Sequence, residues 1–147
     1  MQKQNVKIQS IRNGIVIDHI TAGRAINVLR ILGVDQNFPD TITLAMNVPS
    51  NVMGKKDIVK VENRDLDKKE IDQIAIIAPD ATINRISQSK VISKEKVVLP
   101  DVIVGVVSCP NPKCVTNDPK EKIKSTFTVR SKKPLVLRCR YCERDVS

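Results

Sequence analysis

Aromatic residues are almost missing from this chain: no tryptophan, one tyrosine and two phenylalanines among 147 residues. Stacking of bases on exposed rings is therefore a poor fit as a binding mode. Glycine is scarce, and its five copies at 14, 23, 33, 54 and 105 stand isolated, so no glycine-rich phosphate loop exists. No apolar run approaches the roughly 20 residues that a membrane helix needs. The opening Met1-Gln-Lys-Gln-Asn lacks the apolar stretch of a secretory signal, so a cytoplasmic location is expected. The single histidine, His19, follows Asp18, and no motif sets a serine or cysteine nucleophile beside that pair. A non-catalytic protein is expected.

Only four cysteines are present, but their placement is informative. They read Cys109-Pro-Asn-Pro-Lys-Cys114 and, after a gap, Cys139-Arg-Tyr-Cys142. Two close pairs can each present two thiolates from a tight turn to one tetrahedral ion. Pro110 and Pro112, with the polar Asn111 and Lys113, suit such a turn. Four sulfur ligands in a closed shell favour Zn2+, although the ligand count alone also admits iron. A closed shell of this kind folds a chain and leaves no open position for catalysis. Disulfides are the lesser reading, because no secretion signal accompanies the pairs.

The net charge of +9 is uneven. Residues 1–93 carry 13 Lys and Arg against 10 Asp and Glu, whereas residues 94–147 carry 12 against 6. Four thiolates around one divalent ion would contribute about −2 and offset part of the C-terminal excess. A basic metal module admits a stand-alone zinc-ribbon protein that binds nucleic acid. The lysines are scattered rather than clustered, and a solvated surface or an acidic protein partner suits them at least as well.

The patterning predicts an α+β chain. Gly14 to Ile20 reads as a β-branched strand, and Ala22 to Leu32 has helical spacing that Gly33 is placed to end. Strands follow over Thr41 to Asn47 and Lys56 to Glu62, separated by a loop over Pro49 to Gly54. Asp67-Lys-Lys-Glu70 has the form of a capping box and opens a helix that Pro79 stops. Ala81 to Ser87 is a fourth strand, and Val91-Ile92 adds an edge strand. The order β-α-β-β-α-β is the ferredoxin-like split arrangement, whose sheet has one face covered by helices and the other free. Residues 94–102 read as a connector into a small all-β cysteine module, with strand signals at Val102 to Val107, Phe127 to Arg130 and Leu135 to Arg138. The expected domains are 1–97 and 98–147.

On the N-terminal sheet, Asp18, Lys60, Asn84 and Lys94 are candidates to converge on an anion. A carboxylate for ribose hydroxyls and ammonium groups for phosphates would make a nucleotide site. Spacing alone leaves that convergence open, and a purely structural Asp18-His19 pair is the plainer reading.

Four segments, in order, resemble the regulatory chain of aspartate carbamoyltransferase: Gly14 to Ile20, Pro49 to Asn63, Ala78 to Ile86, and the cysteine turns including Tyr141-Cys-Glu143. The resemblance implies a ferredoxin-like allosteric domain that binds nucleotide effectors such as CTP and ATP. It also implies a structural-zinc domain that docks on the catalytic chain of an early step in pyrimidine synthesis. It further implies regulatory homodimers that bridge two catalytic trimers. By position it assigns Asp18 and Lys60 to the ribose and base, and His19 and Lys94 to the phosphates, with Asn84 nearby. Ile11, Ile86, Ser89 and Val91 would line the pocket, and Cys109, Cys114, Cys139 and Cys142 would hold the metal. Two departures bear on effector preference: Gln9 replaces a glutamate of the better-known bacterial members, and Ser89 replaces a tyrosine. The first removes a negative charge near the nucleotide and the second removes an aromatic wall.

Overall fold

The computed structural model describes residues 12–146, so Gln9 and Ile11 lie outside the described residues. The chain divides between Val97 and Val98 into two compact units.

Over its described residues the first unit is a five-stranded antiparallel sheet with two helices. Its elements run β1 (Gly14–Thr21), α1 (Ala25–Ile31), β2 (Ile42–Ser50), β3 (Gly54–Glu62), α2 (Lys68–Ile77), β4 (Thr82–Ser87) and β5 (Lys90–Lys96). The strand order is β2-β3-β1-β4-β5, which is the ferredoxin-like arrangement with β5 added at one edge. Strand period decides the two faces. Ile15, Ile17, Val59, Val61 and Ile83 are fully buried, and so are Ala25 and Val28 of α1 and Ile74 and Ala75 of α2. Burial of each large aliphatic side chain is worth about 1.5–3 kcal/mol. The helices touch each other, and α1 also packs on β2 and β3. Residues of opposite parity, such as Val16, Ile58 and Asn84, are left on the uncovered face.

Helix α2 has the anticipated capping box: Asp67 accepts the Glu70 N–H at 2.8 Å, and Glu70 accepts the Asp67 N–H at 3.1 Å. Helix α1 is shorter than its apolar spacing predicts, starting at Ala25 instead of Ala22. Its N-cap, Arg24, supplies no side-chain acceptor. The cap comes instead from Asp57 on β3, whose carboxylate is fully buried and accepts the N–H groups of Gly23 at 2.8 Å and Ala25 at 3.0 Å. Strand β2 extends through Pro49 to Ser50, beyond the predicted end, because an edge strand tolerates proline. Strand β5 covers Lys90–Lys96, so residues 94–96 belong to the sheet and not to the connector. The edge strand expected at Val91-Ile92 is thus present but longer; its polar, exposed continuation has no alternation to read, and pairing with β4 extends it. Gly14 must be glycine: at φ +144°, an added Cβ would stand 2.2 Å from the Val61 carbonyl oxygen.

The second unit is a four-stranded sheet in the order β6-β7-β8-β9, from β6 (Val102–Val104), β7 (Thr126–Lys132), β8 (Leu135–Cys139) and β9 (Asp145–Val146). Strand β6 stops three residues before its predicted end, where Gly105 turns with φ +70°. The two-residue β9, without a sequence signal of its own, pairs with Leu137 and Arg138. The apolar core is small: apart from the cysteines Cys109, Cys114 and Cys139, its well-buried members are Phe127, Ile103 and Leu137. A core of that size rarely holds a fold without help.

Candidate functional site

The cysteines converge as their spacing predicts. Cys109 and Cys114 flank a turn after β6, Cys139 ends β8, and Cys142 follows it. All four Sγ atoms lie within 4.8 Å of one another. Cys109 Sγ is 3.6 Å from Cys142 Sγ, and Cys114 Sγ is 3.7 Å from Cys139 Sγ. A tetrahedral ion with metal–sulfur bonds of about 2.3 Å requires sulfur separations of about 3.8 Å, so the four thiols have the spacing of a closed S4 metal shell. Supporting bonds hold the turns. Asn117 Nδ2 donates to the carbonyls of Cys109 at 2.9 Å and Asn111 at 2.7 Å. The Cys114 N–H donates to the Asn111 carbonyl at 3.0 Å, and the Glu143 N–H to the Cys139 carbonyl at 2.9 Å. Burial pushes the Cys109 thiol up to about 12. The Thr116 hydroxyl, 3.1 Å from Cys114 Sγ, lowers Cys114, and the Arg144 N–H brings Cys142 down to about 7. A divalent ion must displace the remaining protons, so metal binding is coupled both to deprotonation and to folding of this unit. Asn117 and Thr116 act behind the ligands, and no ligand spacing points to them.

The second site is a pocket of about 450 Å³ on the uncovered face of the N-terminal sheet. That size suits a small organic ligand. Register explains its composition. Val16 on the central strand pairs with Lys60 on one side and Asn84 on the other, and Asn84 pairs with Lys94 on β5. Cross-strand partners share a face, so one row across four strands carries two ammonium groups and an amide. Asp18, Lys60, Asn84, Ile86, Ser89 and Val91 all line the pocket. Lys94 is exposed and enters through register, outside the lining. His19 also stays outside the lining: it sits in a β1 bulge with φ +56°, its Nδ1 3.1 Å from the Thr82 hydroxyl. Val16 and Ile58 add an apolar floor that the sequence reading missed. The period-2 pattern of β1 and β3 carries that signal once the open face is known.

Asp18 is not a free carboxylate. Lys56 Nζ approaches it to 3.0 Å, and the His19 N–H donates to it at 2.6 Å. Burial would raise its pKa, but those two partners outweigh burial and hold it below the ordinary carboxylate value. The site thus offers an ionised acceptor beside Lys60, an amide and an apolar floor, a set that suits a ligand with hydroxyls, a planar ring and negative charge. Among the described residues, no helix is long and apolar enough to cross a membrane.

Comparison with known proteins places these two sites in one context. Residues 6–98 match the family model described as the aspartate carbamoyltransferase regulatory chain, allosteric domain, and residues 101–147 match the corresponding metal binding domain. A protein of Methanothrix thermoacetophila named aspartate carbamoyltransferase regulatory chain is 50% identical over 147 residues, covering 100% of this chain and 95% of the relative. One of the same name from Korarchaeum cryptofilum is 49% identical over 140 residues, or 95% of this chain and 89% of the relative. A third, from Methanothermobacter thermautotrophicus, is 50% identical over 139 residues, or 95% and 88%. With an allosteric domain followed by a four-cysteine metal-binding domain, the chain belongs to the family of aspartate carbamoyltransferase regulatory chains.

Proposed function

We propose that the chain is the non-catalytic subunit through which nucleotides control an aspartate carbamoyltransferase. The pocket on the N-terminal sheet takes a nucleoside triphosphate such as CTP or ATP. Asp18 accepts the ribose hydroxyls, Lys60 contacts the base and ribose, and Asn84 adds an amide. Lys94 and His19 serve the phosphates from the pocket rim. The observation that carries this reading is the gathering of Asp18 from β1, Lys60 from β3, and Asn84 and Ser89 from the β4–β5 hairpin around one cavity.

Cys109, Cys114, Cys139 and Cys142 hold one Zn2+ per chain, and the ion supplies cross-linking of the two cysteine turns. The sulfur separations and the donor set support zinc over harder ions. Held in this way, the C-terminal unit presents a fixed surface to a catalytic chain, and the N-terminal units of two copies pair so that two catalytic trimers are bridged. A nucleotide bound on one chain then acts on catalysis in another by preferring one quaternary state, with a coupling of about 1–3 kcal/mol. A stand-alone zinc-ribbon role in binding nucleic acid is not favoured, because the two family matches account for both parts of the chain.

The test is to mix the zinc-loaded chain with catalytic trimer from the same source and measure mass by light scattering with and without CTP. A larger stoichiometric complex whose aspartate saturation curve moves with nucleotide is expected. Absence of a complex, with salt-sensitive binding to random DNA instead, would reject the proposal.

A further inference from the structure

The connection between β4 and β5 is two residues long, Gln88 and Ser89, and both have left-handed backbones at φ 51° and 64°. Positive φ at both central positions is the pattern of the tightest hairpin turn, which ordinarily uses Asn-Gly or Gly-Gly because a Cβ is crowded there. The left-handed conformation costs a non-glycine residue about 1–2 kcal/mol. The local sequence Ser87-Gln-Ser-Lys90 therefore does not specify this turn by itself. The missing support comes from the segment ahead of β1. Asn13 Oδ1 accepts the Gln88 N–H at 3.0 Å, and the Arg12 carbonyl accepts the Ser89 N–H at 2.8 Å. The Asn13 carbonyl in turn accepts the Asn63 N–H at 2.9 Å, which anchors the segment to the end of β3. Immediately afterwards, Gly14 lies against the backbone of Val61 and Glu62. The segment is thus held from one side and holds the turn from the other.

Ser89 is part of the pocket lining, and Ile86 and Val91 on either side of the turn are too. We infer that Asn13 is a positioning residue for the pocket: its side chain holds Gln88 and Ser89 in a left-handed turn that sets one wall of the ligand site. Asn13 itself is not in the lining, so its influence on a ligand passes through the turn. As a statement about affinity the inference rests on the nucleotide reading above; as a statement about the turn it does not.

The test compares the full-length chain with Asn13→Ala, Gln88→Gly and the double variant, reading CTP affinity by calorimetry and amide hydrogen exchange at Gln88 and Ser89. Loss of one such bond should weaken CTP binding roughly three- to tenfold and speed exchange at both amides. Glycine accepts the left-handed backbone without help, so Gln88→Gly in the Asn13→Ala background should recover most of the affinity. A purely structural role for Asn13 predicts no such recovery. Unchanged exchange at Gln88 and Ser89 in Asn13→Ala, or a double variant that binds as poorly as the single one, would overturn the inference. If the unmutated chain fails to bind CTP or ATP, the nucleotide reading and the affinity claim fall together. The exchange comparison still decides whether Asn13 holds the turn.

Discussion

The carboxylate of Asp57 accepts the Asn47 N–H at 2.9 Å, joining a fully buried residue of β3 to a bulge in the edge strand β2. The same side chain caps α1 through Gly23 and Ala25, so one buried carboxyl group satisfies three backbone donors, in the turn before α1, at the start of α1 and in β2. Asp57→Ala would leave those donors without a partner inside the unit. The expected loss of stability is on the order of 3–5 kcal/mol. Urea unfolding followed by circular dichroism would measure it, and a loss below about 1 kcal/mol would show that Asp57 is dispensable.

Cys114→Ser should release the metal and unfold the C-terminal unit while the N-terminal unit keeps its fold. The small core around Phe127 gives little alternative support. A colorimetric zinc assay on the purified variant, with proton NMR of the core methyl groups, separates the two effects. Retention of stoichiometric zinc, or unaltered assembly with catalytic trimer, would contradict this account of the site.

Lys60 and Lys94 flank Asn84 and Val16 in one cross-strand row, so each should act on nucleotide binding without affecting the metal. Lys60→Ala, inside the pocket, is expected to reduce CTP affinity by roughly ten- to a hundredfold, the weight of a charge-assisted hydrogen bond. The exposed Lys94→Ala should have a smaller effect that fades at high salt. Equal affinities for wild type and both variants would separate this pocket from nucleotide binding.

Asp18 should titrate below the ordinary value of 3.8. Because its folded pKa is depressed, its contribution to stability is fully present above the unfolded value and disappears as pH falls through the folded one. Removing Lys56 takes away one of the two partners that lower it, so Lys56→Ala should move the Asp18 midpoint upward. Carboxyl-carbon NMR titration of the two proteins reads this directly. A midpoint that stays put in Lys56→Ala would assign the shift to the His19 N–H alone.

Much of the architecture is legible because it is written in short-range pattern. The alternation around Ile15 and Ile17, the Asp67–Glu70 capping box and the β-α-β-β-α-β order each depend on residues a few positions apart. The misread places share a different cause. Helix α1 starts late because Asp57 caps it from 32 residues away in sequence. Strand β5 runs past the expected Val91-Ile92 into polar, exposed residues, and β9 is two residues long, so only the ladders to β4 and β8 fix the extent of the first and the existence of the second.

The sites divide in the same way. The sequence by itself determined the metal shell, since two pairs of cysteines on tight turns have few other ways to satisfy four soft donors. It also determined the two-domain order and the family to which the chain is similar. Only the tertiary structure decided which candidate residues meet around the pocket, that Val16 and Ile58 floor it, and that His19 turns to Thr82 outside its lining. The physical reason is strand register. A slip of one residue would send Lys60 or Asn84 to the helix-covered face, and that register is set by bulges and buried contacts far apart in the chain.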